Sequence, residues 1–156
     1  MTSYDTDVIA WANEQATLLR AGRFAQLDIA HLADEIESVG RVEISRFESR
    51  VGELLAHLLA WQHLHEKRTN DLRARIAARR ARIERDLRRT PSLTRALADT
   101  DSWRRVWEDA VLASVADAAA RRYGLPPVCP WVTPNQIPKA CPWTVAQVRD
   151  DTFFPE

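Results

Sequence analysis

Hydrophobic residues recur at intervals of three and four through most of the first 123 positions of this 156-residue chain. That spacing places them on one face of a helix. The first such segment covers residues 6–21, where Thr6 or Asp7 can cap the start and Gly22 can end the helix. The predicted buried face of this helix consists of Val8, Trp11, Ala12, Gln15, Leu18 and Leu19.

The longest apolar stripe follows Asp28, which can cap a second helix. At 100° per residue, eight large apolar side chains lie within roughly 40° of one direction. They are Ile29, Leu32, Ile36, Phe47, Val51, Leu54, Leu58 and Trp61. Because the stripe keeps its register past Gly40, it favours one continuous helix over about residues 28–64. A helical hairpin broken at Gly40 is the alternative, since glycine often follows a helix end.

Two further long helices and one short helix are predicted. Residues 69–89 carry a narrow apolar seam of Leu72, Ile76, Ile83 and Leu87. Thr90-Pro91 has the pattern of a cap followed by a first-turn proline and opens the short helix "SLTRAL". Residues 101–123 form the next helix, which Gly124 ends. Its predicted buried face is Trp103, Val106, Trp107, Ala110, Val111, Ser114, Val115 and Ala118.

The composition changes after residue 125, because seven of the eight prolines lie there. This tail holds a loose repeat, "CPWVTPNQI" at 129 and "CPWTVAQV" at 141, and Thr144 can cap a last short helix. Its aromatic residues favour a tail that is packed on the helices: Trp131, Trp143, Phe153 and Phe154.

Together the elements predict an all-α fold. Residues 1–124 are expected to form an antiparallel helical bundle that has one long central helix. A Pro/Trp-rich extended C-terminal strap, residues 125–156, is expected to pack on it within the same single domain. One very long helix beside shorter helices leaves part of its apolar seam uncovered. Dimerisation would bury that part, so a homodimer is expected.

Composition removes several classes of protein. The net formal charge is zero, which gives no global electrostatic reason to bind nucleic acid or a membrane. Four glycines leave few tight hairpins, and no Gly-rich phosphate loop or Gly-x-Ser-x-Gly elbow occurs. No apolar run approaches a membrane span, and acidic residues stand where a signal peptide needs positive charge. We therefore expect a cytoplasmic protein, with Cys129 and Cys141 as buried, reduced thiols beside the tryptophans. A disulfide between them is the alternative in an oxidising compartment.

Several blocks resemble one protein family: "YDTDVIAWANEQATLLRAGRFAQLDIAHLADEIESVGR", "LLAHLLAWQ", "TPSL" and "CPWTVAQVRDDTFFPE". They are similar to a bacterial family, abundant in cyanobacteria, that is known as domain of unknown function 29. The resemblance covers nearly the whole chain and implies an all-helical fold without an established activity. The segment "HLHEKRTNDL" departs from the family pattern, which usually continues to a Ser-Trp. A site that needs His63 or His65 would therefore not be shared by the family.

Two metal or catalytic sites can be read from the histidines. Glu35, Glu37 and His57 could form the centre of a metal-dependent hydrolase, as carboxylates and histidines on facing helices do in bundles. The plainer interpretation is solvated carboxylates plus a histidine at the edge of the core. His57, His63 and His65 could instead hold a divalent metal such as zinc, although no cysteine or acid with ligand spacing accompanies them. A polar helix terminus explains the last two equally well, so no cofactor is predicted.

The third candidate is the arginine-rich helix. Residues 67–89 hold ten basic residues against three acids. Pairs four residues apart, Asp71 with Arg75 and Glu84 with Arg88, are expected to neutralise some of them. The remaining basic surface could bind nucleic acid weakly or a protein partner. We assign that surface to Arg75, Arg79, Arg82, Arg85 and Arg89.

The interpretation that accounts best for these features is a small cytoplasmic helical module that binds a partner, rather than an enzyme. The first 55 residues carry ten acids against five bases, so they complement the arginine-rich helix in charge. The metal-dependent hydrolase and the weak nucleic-acid binder are the alternatives.

Overall fold

The computed structural model describes residues 3–65, 68–115 and 137–156, and these ranges contain helices and connecting turns but no strand. The predicted all-α class is therefore confirmed. The helices are α1 (Val8–Arg20), α2 (Ile29–His63), α3 (Asn70–Arg89), α4 (Thr94–Ala98), α5 (Thr100–Val115) and α6 (Val145–Arg149). Short 3-10 turns at Phe24–Gln26 and Pro91–Leu93 precede α2 and α4.

Helix α2 is continuous through Gly40, so the continuous helix is confirmed and the hairpin alternative is wrong. Glycine does not break the helix here, because its backbone keeps a negative φ and the apolar stripe continues on both sides. Gly22 behaves differently. Its φ is 69°, in the left-handed region, and it follows the end of α1 as the sequence predicts.

The chain separates into two compact units, residues 1–43 and 44–156. In the first unit, α1 buries Trp11, Gln15 and Leu18. Val8 and Leu19, which the periodicity placed on the same buried face, remain 47% and 45% exposed. The buried face of α1 is thus narrower than the face that its apolar residues predict.

The second unit holds a continuous core. Helix α2 contributes Phe47 and the run from Leu54 to Ala60, all of them buried. The predicted seam of α3 is confirmed in full, since Leu72, Ile76, Ile83 and Leu87 are buried. Helix α5 adds Val106, Trp107 and Ala110 to the same cluster.

The C-terminal residues 137–156 pack onto this core through a buried arginine. The Arg80 guanidinium is 1% exposed and donates to three backbone carbonyls of the tail. Its Nε lies 2.8 Å from Val148 O, its Nη2 2.6 Å from Phe153 O and its Nη1 3.4 Å from Asp151 O. A single α3 side chain therefore fastens the end of α6 and the residues that follow it.

Further contacts reinforce this attachment. Trp143 is buried edge-on against Trp107, and Trp107 Nε1 donates to Pro138 O at 2.9 Å. Thr144 caps α6, as predicted, and the structure adds a capping box with Gln147. The other aromatic anchor named from the sequence, Trp131, lies outside the described residues, as do Cys129 and the predicted boundary at residues 124–125.

One predicted ion pair has a different partner. Glu84 was expected to pair with Arg88 within α3, but its carboxylate receives two hydrogen bonds from Arg149 of α6, at 2.6 and 3.0 Å. Two parallel N–H···O bonds in this fork geometry are stronger than a pair along one helix surface. The predicted pair of Asp71 and Arg75 is confirmed at 2.8 Å.

Replacing Gly40 by alanine tests the continuity of α2. A Cβ at this position meets nothing within 4 Å. Gly40→Ala should therefore raise the free energy of unfolding by about 0.5–1 kcal/mol, because alanine loses less backbone entropy in a helix. Urea denaturation followed by circular dichroism measures the change. Gly22→Ala is the control and should lower stability by about 1 kcal/mol, since its φ is left-handed. A destabilised Gly40→Ala variant would mean that the helix bends there.

Removing the Arg80 guanidinium tests the attachment of the tail. Arg80→Ala should lower the free energy of unfolding by about 3–5 kcal/mol, because it leaves a cavity and three carbonyls without a donor. Arg88→Ala, which removes an exposed arginine on the same helix, should change it by less than about 0.5 kcal/mol. Equal effects of the two substitutions in urea denaturation would contradict the role of Arg80.

Candidate functional site

His57 lies in the second unit and is fully buried. Its Nδ1 lies 2.7 Å from the backbone oxygen of Glu53, one turn earlier on α2. An N–H at Nδ1 therefore donates to that carbonyl, which leaves Nε2 as the unprotonated nitrogen of the neutral ring. Nε2 is buried and has no hydrogen-bond partner among the described residues. In this position His57 cannot touch a substrate from solvent.

The surroundings of His57 hold it in the neutral form. Burial, together with the positive charge of Arg79, lowers the pKa of His57 from 6.5 to about 4. The hydrogen bond to the Glu53 carbonyl acts in the opposite direction but is the smaller effect. His57 is thus a neutral side chain of the core at neutral pH.

The two carboxylates named with His57 have their own partners in the first unit. Glu35 accepts a hydrogen bond from the Tyr4 hydroxyl. Glu37 is exposed and lies 3.3 Å from Arg41, one turn further along α2. No contact in the described residues brings either carboxylate to a histidine of the candidate centre. The metal-dependent hydrolase therefore stays a prediction without a supporting contact.

His63 and His65 lie at the C-terminal end of α2. His63 is half-buried, and burial lowers its pKa, whereas His65 is exposed. The helix end itself is capped by Arg68, whose Nε donates to Trp61 O at 2.9 Å. Among residues 3–65, 68–115 and 137–156, no three His, Cys, Asp or Glu side chains form a group that could hold a metal ion. These contacts fit a polar helix terminus.

Sequence reasoning missed a polar and aromatic cluster at the start of α2. The Asp28 carboxylate caps the helix by accepting from His31 N, and it also accepts from Trp11 Nε1 at 3.2 Å. Its second oxygen lies 2.7 Å from His31 Nδ1, and the hydrogen bond from His31 is the main reason that the pKa of Asp28 is lowered. Tyr4 stacks on the His31 ring with 4.3 Å between centroids.

This cluster has a structural explanation. The backbone N–H of Asp28 donates to Oε1 of the buried Gln15, so α1 and the start of α2 are joined through one residue. The signal in the sequence was the spacing of Asp28 and His31, since a residue before a helix can bond both the backbone and the side chain three positions later. The pair fixes the orientation of the imidazole, and its partners belong to the corner between two helices.

Helix α3 uses its arginines in several ways. Arg79 is half-buried, with its Nε 3.7 Å from Glu53, and Arg75 pairs with Asp71 on the surface. Arg73 lies over the rings of Trp61 and Phe154. The other members of the predicted surface make no ion pair with any described residue and are exposed: Arg82, Arg85 and Arg89.

The N-terminal part of α2 exposes an apolar surface, which we call the α2 stripe: Ile29, Leu32, Ile36 and Val39. Ile29, Ile36 and Val39 are 62%, 71% and 66% exposed, and Leu32 is half-buried. Ile29, Leu32 and Ile36 lie in nearly the same angular direction as the buried residues Phe47, Leu54 and Leu58, and Val39 flanks them on one side. The sequence pattern is therefore one stripe, and the described residues 3–65, 68–115 and 137–156 bury only its second part. Contiguous exposed apolar patches often mark the sites at which proteins bind partners.

The sequence model of the family described as Domain of unknown function DUF29 matches residues 3–154. The chain belongs to the DUF29 family. This confirms the resemblance found in the sequence and its extent over nearly the whole chain. No curated protein and no solved structure matches the chain.

The function of the DUF29 family is unknown, so membership assigns no activity to this chain. Among the described residues, no helix combines the length and the apolar character that crossing a membrane requires. Within the described part of the chain, the exposed α2 stripe is a surface that its packing leaves unexplained.

The buried neutral His57 predicts a pH-dependent stability. Its pKa is lower in the folded chain, about 4, than the 6.5 of an exposed histidine, so the unfolded chain binds the proton more strongly. Stability should therefore be full above pH 6.5 and fall as the pH decreases towards 4. Between pH 7 and pH 5 the loss due to His57 is about 2 kcal/mol.

Urea denaturation at pH 7 and pH 5 measures this loss. In His57→Gln the difference in unfolding free energy between the two pH values should shrink by about 2 kcal/mol relative to the parent chain. His65→Gln, an exposed histidine, should keep the parent's pH dependence. An unchanged pH dependence in His57→Gln would show that its imidazole is accessible to protons in the folded state.

Proposed function

We propose that this protein is a small helical partner-binding module that acts as a homodimer through the α2 stripe. The observation that carries the proposal is the exposure of Ile36 and its neighbours on an ordered helix whose apolar stripe continues into the core. Full burial of an aliphatic side chain contributes roughly 1.5–3 kcal/mol. Covering the stripe would thus supply a substantial driving force for association.

We also propose an arrangement of the helices and a cellular location for the protein. The helices form an antiparallel bundle with α2 as its central helix, and residues 125–156 form the Pro/Trp-rich strap. The contacts of Arg80 with Val148 and of Trp107 with Pro138 and Trp143 support the strap. The protein works in the bacterial cytoplasm, and the free thiol of Cys141, whose pKa burial raises to about 11, is consistent with a reducing compartment.

The substitution Ile36→Gln tests the stripe. It removes the most exposed aliphatic side chain of the α2 stripe and should raise the dissociation constant of the dimer at least about tenfold, which corresponds to ~1.4 kcal/mol. Sedimentation velocity over a concentration series measures the dissociation constant. Circular dichroism verifies that the helices remain.

Leu112→Gln is the matched control, because Leu112 is also an exposed helical aliphatic residue, 66% against 71% for Ile36. It lies on α5 and should leave the dissociation constant unchanged. A parent chain that sediments as a monomer at every concentration would refute the proposal, as would equal effects of the two substitutions.

A further inference from the structure

We infer that the surface covering the α2 stripe is the arginine-bearing face of α3 from a second copy, so that each dimer contains two identical α2–α3 contacts. The inference rests on the proposed function, since it names the partner of the same stripe. Three observations support it: the side chains next to the stripe, the exposed arginines of α3 that pair with no described residue, and the division of charge between the two units.

Acidic side chains accompany the α2 stripe. At 100° per residue, Glu35 and Glu37 lie on its two sides. Glu37 is paired with Arg41, but both side chains are more than 60% exposed, and such a surface pair is weak and exchangeable. The stripe therefore presents aliphatic side chains with a carboxylate on each side.

Helix α3 presents the complementary surface. Arg82 and Arg85 are exposed, make no ion pair with any described residue, and point away from the buried seam of α3. An arginine side chain covers apolar surface with its aliphatic stem while its guanidinium reaches a carboxylate. Ala78 and Ala81 are exposed on the same side of α3, and Arg89 lies between Arg82 and Arg85 in angle, so this face combines small residues with arginines.

The charges of the two units decide which surfaces meet. Residues 1–43 contain eight acidic and three basic residues, whereas residues 44–156 contain fourteen acidic and nineteen basic residues. Pairing two α2 stripes with each other would bring together two units with an excess of five negative charges each. Pairing a stripe with α3 of the other copy joins opposite charges instead. Under a two-fold axis this contact occurs twice and closes the assembly.

Charge reversal on the two surfaces tests this arrangement. The acid variant carries Glu35→Arg and Glu37→Arg, and the arginine variant carries Arg82→Glu and Arg85→Glu. Each variant alone would place like charges at both contacts, and its dimer should dissociate at concentrations roughly tenfold to a hundredfold higher than the parent's. An equimolar mixture restores opposite charges at both contacts, so it should form a heterodimer with nearly the parent's affinity.

Two further variants protect the test against misfolding. Glu37→Arg alone leaves the Tyr4–Glu35 hydrogen bond intact and should weaken the dimer in the same direction as the acid variant. A single chain with all four reversals should again form a homodimer, because both its surfaces have exchanged sign. Sedimentation velocity measures each case, and circular dichroism verifies each fold.

The outcomes separate this inference from the proposed function. If Ile36→Gln weakens the dimer but the arginine variant associates as tightly as the parent, the stripes pair with each other and the inference is overturned. A mixture of the two variants that stays monomeric overturns it as well. If Ile36→Gln has no effect, the proposed function itself fails. Restored association in the mixture, absent from each variant alone, supports the α2–α3 contact.

Discussion

The second unit depends on the buried guanidinium of Arg80. A charge in a protein core is costly unless hydrogen bonds satisfy it, and here three backbone carbonyls do so. The carbonyl of Val148 belongs to the last turn of α6, where helix geometry leaves carbonyls without an internal donor. One side chain thus satisfies its own donors and the open end of a helix. Residues distant in the sequence become a single packed unit as a result.

The C-terminal tail then acts as a cover for the helices beneath it. Phe154 packs against Trp61 at 4.7 Å between ring centroids, and Arg73 and Arg80 lie over its ring. The ring of Trp143 packs edge-on against the rings of Trp107 and Phe153. No described segment covers the α2 stripe in this way. The contrast between the covered core of the second unit and the exposed α2 stripe supports the proposed interface.

The histidines illustrate how far a sequence pattern can lead towards a site. Three of the four lie within residues 57–65 and suggested a metal or catalytic centre. Tertiary packing separates their roles, because His57 is enclosed and neutral while His65 is in solvent. His31, which the sequence analysis did not select, has the most defined set of partners through Asp28 and Tyr4. Residue type alone could not rank them, since burial and partners arise from other elements.

The sequence alone determined the helical class, the seam of α3 and the caps of α2 and α6, and it favoured a helix α2 that continues through Gly40. These features depend on residues within one or two turns of each other, so local periodicity and capping encode them. Only the tertiary structure decided that Arg80 binds carbonyls 68–73 positions away, that Glu84 pairs with Arg149, and that the stripe is covered after Phe47 but not before Val39. Those outcomes require distant segments to meet. Hydrophobic contacts are not specific for one partner. The sequence pattern therefore predicts which face of a helix is buried, but not which segment buries it.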